Sequence, residues 1–551
     1  MWKTTELFDD HSHWELEINK TNDELISLLK EKNNQSIEEA LLSREKFAIK
    51  LDRLYTYGLL LRELYIDDTY VYEKINSIKK LYNTFNIYNE YLQQQLIINK
   101  KEIYDSFKCN SVLKKYKNDI VKSFDDINKD KNQKNSIDLY RKISPYDYFL
   151  KWYFSFENIG KQSNGQNITE YNLLELLKNP NRDKRKYTYV SVEKFFKNIS
   201  NTAAYILNSH LQLSNNISHD YLFEVRNAFC DLSWEDIKKL RPYFMDLNKL
   251  IIKYKSQSLN LSSISYFDLY YLPNEYNKRI SKDEAQNIIT ESSKLLGKEI
   301  SSVVKQVFDD NWINWENSGH YGQRSFSSYT THPYIKISWD GTLDSLFNLA
   351  HEILGAVAQY YSGLTESFFY SELSILKTEF ISYLGTWSLY EYLRKHPEII
   401  DPNLLKNKFI DFIKDVFISP YSYTYIEYTL FLESQFEKLS NERISDIWYE
   451  FIYDYHDCDQ FEHLEINRYN WVRNEHFYLK GYDLNYIIAF ALSLNYYYND
   501  FSNKKLVSLL SCGEINSDNN FFRKLGFNKD IYDLLLYSIE FCSEFLHREV
   551  L

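Results

Sequence analysis

The sequence is poor in the residues that interrupt regular structure, with 13 glycines and 8 prolines in 551 residues. Few such breakers, together with long periodic segments, point to a mostly helical protein. Five cysteines stand at Cys109, Cys230, Cys458, Cys512 and Cys542, scattered and without a CxxC pair. They exclude a disulfide framework and a cysteine-based zinc knuckle. No uncharged apolar run of about 18 residues occurs, so no membrane partner is expected. The opening residues MWKTTELFDDHSHWELEINK hold no apolar signal core, which leads to the expectation of a cytoplasmic protein. Basic residues are outnumbered, 65 against 77 acidic, for a net charge of −12. Such a chain repels a phosphate backbone, and no nucleic-acid partner is expected. Absent too are the glycine-rich GxGxxG and GxxxxGK[ST] phosphate loops, the GxSxG nucleophile elbow and any internal repeat.

What is present is a chain that can bury a core, 44% hydrophobic and 26% charged. Fifty tyrosines accompany abundant Asn, Ile and Lys. This reads as compositional bias, so a lone tyrosine is read as packing. Apolar residues recur at three- and four-residue spacing through NDELISLLKEKNNQSIEEALLSREKFAIKLDRLYTYGLLLRELY, and again over Asp68–Asn99, Lys282–Phe308, Asp344–Tyr361, Glu372–Leu393, Leu484–Tyr498 and Asp530–His547. Two stretches differ. Lys114–Ser136 is dense in charge and Asn, and reads as an exposed helix ending in a loop. Arg324–Thr342, RSFSSYTTHPYIKISWDGT, reads as a loop, a short strand YIKIS and a turn at Asp340-Gly341. The expected organisation is a helical N-terminal lobe over 1–190 and a larger helical domain with a small sheet over 191–551.

One helical stretch, FNLAHEILGA, contains His351 and Glu352. In a helix, positions i and i+4 share a face, so HExxH sets two imidazoles around one zinc ion while the Glu polarises the zinc-bound water. Here the second histidine position holds Gly355, and no other histidine follows until His396. Glycine ligates nothing and costs about 1 kcal/mol against alanine inside a helix. A bare His-Glu pair is common and carries little weight alone.

Its surroundings carry more. The ordered stretch THPYIKISWDGTLDSLFNLAHEILGAVAQYYSG (Thr331–Gly363) resembles the active-site region of the M3 family of zinc metallopeptidases, the oligoendopeptidase F branch above all. There, too, a PYI strand, a GT turn and an LF.LAHE helix precede the second histidine. The family's third zinc ligand is a glutamate on the next helix. SELSILKTE offers Glu372 and Glu379, seven apart, and the resemblance assigns Glu372 to the metal and Glu379 beside it. The segment HFYLKGYDLNY resembles the family's substrate-holding segment, which gives His476, Tyr482 and Tyr486 the task of holding the peptide and the tetrahedral oxyanion. RSFSSYTTHPYI, with His332 and Tyr334, would line the substrate and pair with its backbone. Weaker resemblance extends over TTELFDDHSHWELEI and LNLSSISYFDLY. The implied fold is mainly α, a zincin-like clamshell or saddle of helices with a small β-sheet at a deep central channel. The implied ligand is a short peptide; any protein partner is left unspecified.

Zinc is the cofactor the resemblance implies, but His351 and Glu372 supply two protein ligands where catalytic zinc takes three and a water. The loss costs several kcal/mol of metal affinity, so a poorly filled site is expected. His332, His320 and Glu379 are the candidate replacements. The leading expectation is a peptide-binding pseudopeptidase with hydrolysis lost or strongly reduced. A metallopeptidase with a rearranged site, an enzyme recruited to other peptide chemistry with Glu352 as base, and a plain helical scaffold are the alternatives.

Overall fold

The structure, a computed structural model, describes residues 2–65, 68–125, 145–217, 232–271, 279–315, 323–365, 367–456, 460–462, 464–500, 502–511, 518–527 and 530–550. It is mainly helical, with two small sheets among the described residues. Helix starts follow local chemistry. Ser36 with Glu39, Ser233 with Asp236 and Ser281 with Glu284 form reciprocal capping boxes, in which each side chain satisfies an otherwise orphaned backbone N–H. Much of the charged stretch Lys114–Ser136 lies outside the described residues.

Two compact units are present, each assembled from three separate stretches of chain. Neither corresponds to a single run such as 1–190. The first comprises Met1–Lys129, Ile280–Tyr392 and Ser502–Leu525. Its N-terminal part packs the helices His11–Glu31, Ile37–Leu64 and Thr69–Ile98 on one another. Trp14 is fully buried there and donates its indole N–H to the Leu54 carbonyl at 3.0 Å. Gly58 admits this packing, since a Cβ on it would stand 2.9 Å from Ile75 and 3.0 Å from Trp14.

The same unit holds a three-stranded sheet. Its central strand Tyr334–Lys336 is paired parallel with Ile313–Asn314 and antiparallel with Arg324–Phe326. All three residues of the central strand are buried, and Trp2 donates its indole N–H to the Ile335 carbonyl at 2.9 Å. The buried Lys336 ammonium meets Glu63 at 2.7 Å, as a buried charge requires. After the sheet, Gly341 takes a left-handed φ of 76°. Thr342 then caps the helix Leu343–Gly363 by accepting from the Ser345 N–H. The helix Ile375–Lys395 comes next. It is fastened by Ser374 and Lys377, which reach Asp518 at 2.6 and 3.3 Å.

The second unit comprises Asp130–Arg279, Leu393–Phe501 and Gly526–Leu551. Its long helix Arg182–Ile217 is tied to the turn Tyr266–Asp268 by Arg182 and Arg185, both bonded to the fully buried Asp268 carboxylate. The helix Tyr482–Asn495, apolar on nearly every side, packs against Ser419–Ser434 and Ile531–Val550. Phe490 on it stacks on Phe417 with ring centroids 4.5 Å apart.

Candidate active site

In the first unit the helix Leu343–Gly363 carries the His-Glu pair and Ile375–Lys395 runs beside it. The His351 Nε2 lies 3.3 Å from Glu379 Oε2, and the imidazole ring leans on Tyr383 with centroids 5.4 Å apart. Glu379, expected beside the metal rather than on it, is the acid that meets His351. Glu372 is exposed and precedes the helix, whose first residue is Ile375. The reason is local: Ser374 accepts the Lys377 N–H and starts the helix there, so Glu372 and Glu379 do not share a helical face. A helix-capping serine ahead of the apolar run Ile375, Leu376, Phe380, Ile381 is the signal in the sequence that separates them.

The electrostatics of the pair follow from burial. Glu352 is pushed up to about 7, chiefly because its enclosed position disfavours charge, with the Glu379 carboxylate adding to the effect. His351 and Arg324 draw it back only in part. The same enclosure disfavours the His351 cation, yet Glu379 and Glu352 outweigh it and raise the ring above its ordinary value. At neutral pH the Glu352 carboxyl is thus partly protonated beside the His351–Glu379 pair.

Whether zinc fits can be read from the donors. Gly355 supplies none, and the space beside it is taken: a Cβ there would stand 2.8 Å from Ser382 Oγ and 3.6 Å from Thr378. One turn further along the neighbouring helix, a Cβ on Gly385 would meet Leu354 at 2.6 Å and the Ala350 carbonyl at 2.9 Å. The two glycines let the helices approach where bulkier residues would hold them apart. Among the described residues no group of three His, Cys, Asp or Glu side chains is placed to hold a metal ion. The donor set does not fit a three-ligand catalytic zinc. Of the candidate replacements, His332 is committed elsewhere. It stacks flat on Trp312 at 4.6 Å, donates from Nδ1 to the Pro333 carbonyl, and faces Glu6 at 3.2 Å. His320 lies outside the described residues.

The expected substrate-lining residues are also placed by packing. His332 and Tyr334 are both buried, Tyr334 completely, in the central strand and its approach. That strand is paired on both sides, so its backbone groups are used up. The sheet edge next to it belongs to Arg324–Phe326, where Arg324 is exposed and Ser325 donates to Gln359 of the His351 helix at 3.1 Å. Alternation of polar and apolar types could not separate these cases, because both faces of the central strand are buried.

In the second unit the structure brings together His476, Tyr482 and Tyr486. The Tyr482 and Tyr486 hydroxyls are 3.0 Å apart, the Tyr482 ring meets the His476 ring edge-on at 4.7 Å, and Tyr486 lies parallel to it at 6.1 Å. Sequence reasoning missed the fourth member, Asp483, whose Oδ1 is 2.8 Å from His476 Nδ1. Its signal was a single acid opening an otherwise apolar helix, YDLNYIIAFALSLN.

No family model matches the chain. Oligopeptidase PepF of Bacillus subtilis is 22% identical over 516 residues, spanning 89% of this chain and 77% of the relative. An oligoendopeptidase F homolog of Lactococcus lactis is 21% identical over 517 residues, spanning 89% and 86%. The crystal structure of oligoendopeptidase-F from Enterococcus faecium superposes with a TM-score of 0.67 at 17% identity, covering 98% of each chain. The chain thus shares the fold of this oligoendopeptidase F structure along its whole length and is similar in sequence, at low identity, to oligopeptidases of that kind along most of it.

Proposed function

We propose that this protein binds short peptides and has lost, or keeps only weakly, the zinc-dependent hydrolysis of its relatives. The observation that carries the reading is the contact between Gly355 and the Glu379 helix. The position that should present an imidazole is packed against Ser382 and Thr378, and His351 is paired with Glu379 instead. The peptide-holding side chains support the other half of the reading: His476, Tyr482 and Tyr486 lie together. A hydroxyl or a ring N–H suits a peptide carbonyl. Glu352, partly protonated at neutral pH, can donate to a carbonyl or accept from an amide.

The test is a purified sample incubated with zinc, then assayed for metal content, for cleavage of quenched-fluorescent peptides with and without chelator, and for peptide binding. Less than one tightly held zinc per chain, no chelator-sensitive cleavage and retained binding are expected. Chelator-sensitive cleavage would overturn the loss of hydrolysis. Unchanged peptide affinity in both His476→Ala and Tyr482→Phe would reduce the protein to a scaffold.

One observation favours a second reading, a rearranged metal site built on His351 and Glu379. The Glu379 Oε2 is buried and faces the His351 Nε2 at 3.3 Å, so two atoms of metal-ligating type already stand together. One zinc per chain, lost in both His351→Ala and Glu379→Gln, would establish it. Glu372→Gln would leave that zinc in place.

A further inference from the structure

In the second unit the turn Glu475–Tyr478 leads into the helix Tyr482–Asn495 through Gly481. Gly481 has a φ of 69°, which only glycine adopts without strain, and its N–H donates to Glu427 at 3.0 Å. That junction sets Asp483 beneath His476. Asp483 is 1% exposed, whereas the His476 side chain is 31% exposed. One carboxylate oxygen of Asp483 binds His476 Nδ1 at 2.8 Å; the other, Oδ2, is buried with no hydrogen-bond partner among the described residues. An acid that served only the helix N-terminus would do so from the surface at no desolvation cost. A buried, half-satisfied carboxylate is costly, and its retention needs a further explanation.

We propose that Asp483 is a positioning residue for His476, holding the ring proton on Nδ1 so that Nε2 is presented to a bound peptide beside Tyr482. This rests on the reading above that His476 and Tyr482 hold peptide. A free imidazole exchanges between two tautomers and turns about its side-chain bonds. A carboxylate accepts only, so the nitrogen facing it carries hydrogen. Nε2 then accepts when the ring is neutral and donates when the ring is protonated, and the nearby carboxylate favours the protonated ring. Tyr482, edge-on at 4.7 Å, and Tyr486, parallel at 6.1 Å, flank the ring and oppose its rotation away from Asp483.

The test uses the full chain labelled with ¹⁵N-histidine, with the His476 signals identified by their loss in His476→Ala. In the native protein, the neutral ring is expected to carry its proton on Nδ1. Asp483→Asn is expected to lower the proton affinity of His476 by about tenfold or more. It is also expected to weaken binding of a fluorescein-labelled mixed-sequence nonapeptide pool as much as His476→Ala does, whereas Asp483→Glu recovers part of both. An Nε2-protonated ring in the native protein overturns the proposal without any variant having to fold. So does an Asp483→Asn protein, folded by circular dichroism, with His476 titration and tautomer unchanged. If Asp483→Asn alters the ring while neither it nor His476→Ala affects peptide affinity, the positioning stands and the peptide-holding reading fails.

Discussion

Glu352 and Glu193 both hold their carboxyl groups near neutrality because burial penalises charge, at about 7 and about 8. Their surroundings differ. Glu352 shares its space with His351 and Glu379. Glu193, on the helix Arg182–Ile217, accepts the Tyr469 N–H through Oε1 and has Oε2 buried without a hydrogen-bond partner among the described residues. The folded protein holds the Glu193 proton up to about pH 8, while an unfolded chain releases it near the ordinary 4.5. Between those values unfolding releases a proton, so stability present at low pH is lost as pH rises through the window. Denaturant midpoints compared between wild type and Glu193→Gln should show the wild type losing ground with rising pH. The expected difference approaches about 1.4 kcal/mol per pH unit between about pH 4.5 and 8 and is flat above. Equal slopes would mean that Glu193 is solvated. Nothing in the sequence reveals that these two acids are enclosed, since enclosure is not a local property.

At the scale of elements, the pair Leu343–Gly363 and Ile375–Lys395 decides the site. The two glycines in the contact are not equivalent. At Gly355 the atom in the way is a serine hydroxyl, which can rotate; at Gly385 it is the branched body of Leu354 and the Ala350 carbonyl, which cannot. Gly355→Ala is therefore expected to fall within about 1 kcal/mol of neutral, helped by helix propensity. Gly385→Ala should destabilise by about 1–3 kcal/mol through overpacking. Chemical denaturation of the two variants separates them, and equal costs would refute the packing asymmetry. The same contact predicts that Gly355→His alone is destabilised. Gly355→His combined with Ser382→Ala should recover stability and bind about one zinc per chain, measured by elemental analysis after dialysis.

At the scale of the whole molecule, stability is expected to be indifferent to zinc. A ligand stabilises a fold only through a site that the folded state possesses. The thermal midpoint should be the same with chelator and with micromolar zinc; a rise that grows with zinc concentration would contradict this. Long-range closure matters more. Trp2 is bonded to Ile335, 333 residues away, and packs edge-on against Phe326 and Tyr334. Trp2→Ala should cost about 3–5 kcal/mol in urea unfolding. Much of this molecule was legible in one dimension. The helices follow from apolar spacing and scarce breakers, and the strand Tyr334–Lys336 within YIKIS from its residue types and the turn after it. The family resemblance of the His351 and His476 segments rests on ordered residue types. These are local properties, written within a few residues of where they act. The sequence by itself also determined that a glycine, Gly355, stands four residues after His351. Only the tertiary structure decided what packs against it, that Glu379 rather than Glu372 meets His351, that His332 and Tyr334 are interior, and that Asp483 lies beneath His476. Each depends on distances between elements, which are set by how side chains pack across helices and strands remote in the chain.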